Sequence, residues 1–252
     1  MQDDSPLHRA MAMVADLRVR CAWDRIQTRE TLRPYLIEEV HELDAALGRG
    51  DSAAIRDEVA DLMLHLAWQL VLGAEAGEFT AADIADTVVA KMRRRHPHLF
   101  DLGPAEQWHT LKHRERKPGA GALDELPRTL PGLLLAYRLQ ERAAGVGFDW
   151  PDVVGPIDKV REELVEVERE LATADDPAES ALADEIGDLL FAVVNLARKA
   201  GVHPGTALDR ANRKFRRRFE QVERLAVERG IAMETAGLTT LDELWDEVKR
   251  TP

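Results

Sequence analysis

This chain repeats itself, and that constrains its fold more than any other feature. Glu38-Glu39-x-x-Glu42 returns as Glu162-Glu163-x-x-Glu166, and Glu58-x-x-Asp61-Leu-Met-Leu as Glu185-x-x-Asp188-Leu-Leu-Phe. Lys91-x-x-x-Arg95 is matched by Lys214-x-x-x-Arg218, and Trp108-x-x-x-Lys112 by Trp245-x-x-x-Lys249. The offsets are 124, 127, 123 and 137 residues. Order is kept and only the loops between change length, the signature of a duplicated unit. We read a first domain over 1–118, a linker over 119–126 and a second domain over 127–252. Lys117-Pro118-Gly119-Ala120-Gly121 is the best linker signal. A chain of 252 residues suits two domains.

Each copy reads as helical. Ile55, Val59, Leu62, Met63 and Leu66 step along one helix face. Aromatic residues are only 5%, and no stretch alternates as a strand does. The expected class is all-α, a tandem of two helical bundles. Breakers place helices over 6–20, 28–47, 52–76, 80–96, 131–144, 156–172, 178–200, 205–229 and 240–250, with a short amphipathic stretch over 104–116. Gly48 and Gly50 are the expected stop of the second of these.

The charge balance narrows the function. Acidic residues outnumber basic ones, 46 to 34, for a net charge of −12. Stable nucleic-acid binding is not expected, because phosphate contacts need net positive surface. One cysteine, Cys21, excludes an internal disulfide and a cysteine-rich zinc site. Met1 to Ala10 has no apolar leader core, and no apolar run is long enough for a membrane span. A cytoplasmic, reduced setting is the expectation.

The acidic pieces carry the first chemical signal. A helix turns about 100° per residue, so Glu162, Glu163 and Glu166 crowd one narrow face. Taken alone, such a triplet reads more simply as a solvated charged face, flanked here by Arg161 and Arg169. Glu185 and Asp188 are harder to explain that way. Asp188 leads into Leu189-Leu190-Phe191-Ala192-Val193-Val194, and Asp61 into Leu62-Met63-Leu64. An acid at the edge of a core-like run is costly unless paired, protonated or bound to a metal. Two adjacent helices could bring the five carboxylates onto a hard cation, and oxygen ligands suit Mg²⁺ or Mn²⁺. Glu38, Glu39, Glu42, Glu58 and Asp61 form the equivalent set in the first copy.

Basic residues extend the pattern. Lys214 and Arg218 lie one turn apart, as do Lys91 and Arg95. They read either as a basic surface stripe or as a clamp for phosphate oxygens. Acids that hold a cation, joined by Lys and Arg, are what a polyphosphate substrate needs. Asn195 follows Asp188 by two turns and touches substrate or is simply a buried, hydrogen-bonded amide. Trp245 stacks on a base or packs its own helix. No Gly-rich phosphate loop or nucleophile elbow is present.

Together with Cys21-Ala22-Trp23-Asp24, Arg94-Arg95-His96-Pro97-His98-Leu99-Phe100, Val146-Gly147-Phe148-Asp149-Trp150 and Asn212-x-Lys214-Phe215-x-Arg217-Arg218-Phe219, these units resemble the MazG family. This is a family of nucleoside triphosphate pyrophosphohydrolases within the all-α NTP pyrophosphatase superfamily. The resemblance spans roughly residues 7 to 250. It implies Mg²⁺-dependent cleavage of NTPs and dNTPs to monophosphate and pyrophosphate, broad base tolerance, a role in the nucleotide pool, and a homodimer. It further implies that Glu162, Glu163, Glu166, Glu185 and Asp188 bind metal in the second copy. Lys214 and Arg218 would grip the triphosphate, with Asn195, Asn212 and Trp245 near the nucleotide. The first copy carries Trp68 in place of Asn195 and Val89 in place of Asn212, which puts its catalysis in question but not its metal binding.

Two other readings use the same residues. A carboxylate-bridged di-metal bundle needs E-x-x-H on two helices. Glu38-x-x-His41 and Glu106-x-x-His109 fit, but Val165 replaces the histidine in the second copy. A helical adaptor with no activity would use the charged faces for partner binding alone.

Overall fold

The computed structural model describes residues 5–100, 102–105, 121–124, 126–172 and 181–250. The chain divides into two compact units, Met1–Glu106 and Gln107–Pro252. Every regular element among the described residues is helical.

In the first unit, α1 (Pro6–Arg20) opens with Ser5 as its cap and Pro6 in its first turn. A single turn, α2 (Ala22–Arg25), follows and was not anticipated from the sequence. Thr28 and Thr31 form a capping box for α3 (Arg29–Arg49). That helix runs through Gly48. It ends only at Gly50, which takes the left-handed φ of 70° that a side chain would resist. Asp51 then accepts hydrogen bonds from the amides of Ala53 and Ala54, and so caps α4 (Ser52–Glu75). The two-residue connection folds α4 back along α3 and brings the two acidic motifs to one end of a helical hairpin. The core joins Val14 of α1, Leu32 of α3, and Ala67, Trp68 and Val71 of α4. Helix α5 (Ala81–Arg95), capped by Thr80 and Asp83, buries none of its residues, and a 3-10 turn at Pro97–Leu99 follows it.

The second unit contains α6 (Gly132–Ala144), α7 (Val154–Leu171), α8 (Ala181–Lys199), α9 (Pro204–Glu228) and α10 (Gly237–Arg250). Helices α7 and α8 pack together, and α6 packs on α8. A separate cluster of Val222, Ala226, Leu244 and Val248 joins α9 to α10. Most helices fall within two or three residues of their expected bounds. The stretch over 104–116, with Trp108, Lys112 and the Glu106-x-x-His109 pattern, lies largely outside the described residues.

One glycine controls how the segment before α7 seats. A Cβ built on Gly155 would lie 2.0 Å from Trp150 Cδ1 and 2.7 Å from its Cγ. The indole therefore rests directly on the backbone of the first turn of α7. Gly155→Ala is expected to cost about 1–3 kcal/mol by overpacking, seen as a lower thermal midpoint and altered Trp fluorescence.

Candidate functional site

The repeated acidic motifs meet, but three of the five expected carboxylates converge in each copy rather than all five. In the second unit, carboxylate oxygens of Glu163, Glu185 and Asp188 lie within 4.8 Å of one another. In the first unit, Glu39, Glu58 and Asp61 do the same. Each cluster takes one residue from the first acidic motif and two from the second.

The buried charge is not where the sequence argument put it. Asp61 and Asp188 are both exposed, whereas Glu163 is only 3% exposed. The run after Asp188 is only partly core, because Leu190, Phe191 and Val193 are exposed while Ala192 and Val194 are buried. Glu163 sits instead on the packed face of α7, one turn before buried Val167. Its partner is Lys159, one turn earlier, with a 2.5 Å ion pair. Hydrogen bonds from Lys159 to Glu163 and Glu162 hold the ammonium well above its usual range. Glu163 Oε2 remains buried with no hydrogen-bond partner.

The other predicted residues fall in three groups. Glu166 belongs to the acidic neighbourhood. Partial burial, the closeness of the Glu163 carboxyl, and the charges of Glu163 and Glu185 all push its carboxyl up. Glu162 turns outward to Lys159 at 2.9 Å and is mostly exposed. Asn195 is buried and accepts hydrogen bonds from Arg198 through its Oδ1. Asn212 and Lys214 lie exposed on α9, with Arg218 half-buried there. Lys214 lines a groove with Arg210, Arg213 and Arg217. Trp245 packs against the α9–α10 cluster, its ring 5.3 Å from that of Phe215.

Beside the second cluster is a cavity of about 550 Å³, whose wall includes Glu163, Asp188 and Asn195. Its remaining polar wall was not foreseen. Asp149 pairs with Arg198 at 2.5 Å and with Lys199 at 3.0 Å. Burial pushes the Asp149 carboxyl up, but the hydrogen bonds from Arg198 and Lys199 outweigh it and hold the group below its usual range. Gln140 completes that side, with its Nε2 donating to the Phe191 carbonyl at 2.8 Å. The sequence had shown Asp149 within a motif but gave it no role. Nothing in the pattern marks Gln140, a lone amide on an amphipathic helix.

In the first unit, Glu39 and Glu58 both have carboxyls pushed up. Desolvation is the main cause in each, followed by mutual repulsion with Asp61 and Glu42. Glu38, Glu42 and His41 are exposed and outside the tight cluster, so the E-x-x-H pattern does not converge there. His65, one turn after Asp61, is buried with an unpartnered Nδ1. Burial holds its imidazole below the usual range, against the pull of Asp61. Lys91 and Arg95 share one face of α5, each half-buried.

The sequence matches the MazG nucleotide pyrophosphohydrolase domain over residues 27–100 and again over 157–223. The chain belongs to the MazG family. The two matched segments each contain one complete acidic cluster. A similar protein is the nucleoside triphosphate pyrophosphohydrolase of Escherichia coli strain K12, 41% identical over 95% of this chain and 94% of that protein. The nucleoside triphosphate pyrophosphohydrolase/pyrophosphatase MazG of Thermotoga maritima is 40% identical over 91% of this chain and 89% of its own.

The raised carboxyl of Glu166 has a consequence for the metal-free protein. An acid whose folded pKa is raised favours the fold while protonated, and this stability is lost as pH rises from 4.5 through the folded value. Glu166→Gln in EDTA is therefore expected to raise the thermal midpoint at pH 7 and to leave it nearly unchanged at pH 4. Melts across that range check the sign.

Proposed function

We propose that this chain hydrolyses nucleoside triphosphates, both ribo and deoxy, to the monophosphate and pyrophosphate in its second unit. Mg²⁺ is the proposed cofactor, with Mn²⁺ able to serve in its place. The observation that carries the reading is Glu163 Oε2, a buried carboxylate oxygen without a partner, within a cluster of three converging carboxylates. Leaving such an atom unpaired is costly, and a hard cation relieves it. The substrate class follows the names of the E. coli and T. maritima relatives, and the adjoining cavity has room for a nucleoside.

The donor set fits such an ion, since every converging atom is a carboxylate oxygen. Glu163, Glu185 and Asp188 would hold it. Glu166 stands beside them, and Glu162 shares the Lys159 ammonium with Glu163. When bound, the ion supplies charge neutralisation on the phosphates and an activated water. Lys159 fixes the Glu163 carboxylate, so one ligand is oriented before any ion arrives. Lys214 and Arg218 supply cations for the phosphate chain from α9. The neighbouring Arg210, Arg213 and Arg217 make that face strongly positive. Trp245 supports it from behind through Phe215. Asn195 and Asn212 complete the substrate contacts.

The first unit is read as a cation-binding copy without turnover. Counted by the same offset that relates Asp61 to Asp188, Trp68 and Val71 stand where Asn195 and Arg198 do, and both are buried in the core. The polar wall of the cavity is thus replaced by packing. We further propose a homodimer. Ile186, Leu190 and Val193 on α8 and Leu164 on α7 leave an apolar face exposed on the single chain. The expected role is control of the nucleotide pool.

Two outcomes test this. Incubation with the eight common NTPs and dNTPs should give monophosphate plus pyrophosphate with Mg²⁺, and nothing with EDTA. Diphosphate plus phosphate would overturn the site of cleavage. Glu185→Gln and Asp188→Asn should each lower kcat more than about 100-fold, beyond the loss of an outer partner. Glu58→Gln and Asp61→Asn should leave it within about twofold.

A further inference from the structure

Among the described residues of the second unit, two buried side-chain atoms lack hydrogen-bond partners: Glu163 Oε2 and Gln140 Oε1. Both are oxygens, and both residues line the same cavity of about 550 Å³. A buried acceptor left unpaired is an expense that folded proteins seldom keep without use. The two acceptors differ in chemistry. A carboxylate oxygen calls for a cation, whereas a neutral amide oxygen calls for a neutral N–H or O–H. The orientation of Gln140 is set by its neighbour. The Phe191 carbonyl accepts at 2.8 Å and has nothing to donate, so the amide nitrogen must face it and the oxygen is left over.

A third feature lies on the cavity rim. Phe148 lines the cavity yet is 81% exposed. It follows Gly147, whose φ of 89° is one that side-chain-bearing residues resist. The turn therefore presents a large ring to water, while the next residue, Asp149, anchors the segment to Arg198 and Lys199. The first unit also exposes a ring immediately before an acid, Trp23 before Asp24, but there on a helical turn with Trp23 edge-on to Tyr35. An exposed ring contributes little to packing, but its face suits any nucleobase.

Resting on the hydrolase reading above, we propose that this cavity seats the nucleobase. The base stacks on Phe148 and donates an N–H to Gln140 Oε1, while the phosphate chain extends to the Glu163 end. Each of the standard bases carries at least one N–H on its pairing edge. A lone acceptor at this position accepts all of them, so the site is tolerant of base identity but intolerant of an edge that offers no N–H.

The test compares the wild type, Gln140→Met and Phe148→Ala in Mg²⁺. The substrates are ATP, 2′,3′-dideoxy-ATP and purine riboside triphosphate, which lacks the exocyclic amine without added bulk. Inorganic triphosphate serves as a competitive inhibitor that has no base. For the wild type, KM for purine riboside triphosphate should exceed that for ATP about tenfold, at similar kcat. Gln140→Met should raise KM for ATP about tenfold and abolish that difference. Phe148→Ala should raise KM for every nucleotide by about tenfold or more. Inhibition by inorganic triphosphate should not change in either variant. Phe148 is too exposed for its loss to unfold the chain, so an unchanged KM in Phe148→Ala overturns the inference even if Gln140→Met folds poorly. A penalty that follows the dideoxy sugar instead of the purine edge also overturns it, since the sugar would then sit at Gln140. If the wild type releases pyrophosphate from no nucleotide, the hydrolase reading has failed. If it does and the variants match it, only this inference has.

Discussion

Mutual repulsion among carboxylates is the constraint around which each unit is organised. Glu163, Glu185 and Asp188 converge within 4.8 Å, and Glu166 adds a further acid with a raised carboxyl. Nothing in the cluster itself favours that proximity. It is imposed by packing between α7 and α8, where Val167, Leu182, Ala192 and Val194 are buried close by in sequence. Apolar burial is non-directional and strong enough to hold an unfavourable electrostatic arrangement in place. Lys159 offsets part of the repulsion at Glu163, and a bound cation would offset the rest. The folded chain is thus built to gain from a ligand.

The cavity and the cluster are fixed to the same helix. Arg198 and Lys199, at the end of α8, hold Asp149, while Asp188 sits nearly three turns earlier on that helix. The segment carrying Phe148 and Trp150 is therefore tied to the element that supplies two of the three clustered carboxylates. Arg198 also grips Asn195, so one guanidinium spans loop and helix. Gly155 extends the same logic to α7, because Trp150 lies against the only residue type that leaves room for it. Displacing any of these moves a cavity wall relative to the acids.

The two copies show how one scaffold diverges. Both keep three converging carboxylates, but the residues two to three turns further along differ in kind. Asn195 and Arg198 form a hydrogen-bonded polar wall. Their counterparts Trp68 and Val71 join Val14 and Leu32 in a hydrophobic core. The first copy has its own arginine, Arg18, which comes from α1, lies over the Trp68 ring and pairs with Glu75 at 2.6 Å. Positions that line a cavity in one unit pack the core of the other.

The repeat, the helical class and the acidic and basic motifs were legible in the sequence, because periodicity and spacing are one-dimensional properties. Helix ends were legible where a side chain or glycine makes the stop, as at Asp51 and Gly50. Even there Gly48 misled, since only the backbone angle decides which glycine ends a helix. Burial was not legible. Asp188 is exposed and precedes an apolar run that splits between surface and core, whereas Glu163, in a run of charge, is the acid that packs inside. Sequence places a residue on a helix face, but which face meets another helix is settled only when the helices dock. The same is true of Gln140. Its unpaired oxygen exists only because Phe191, fifty-one positions away, claims the other end of the amide.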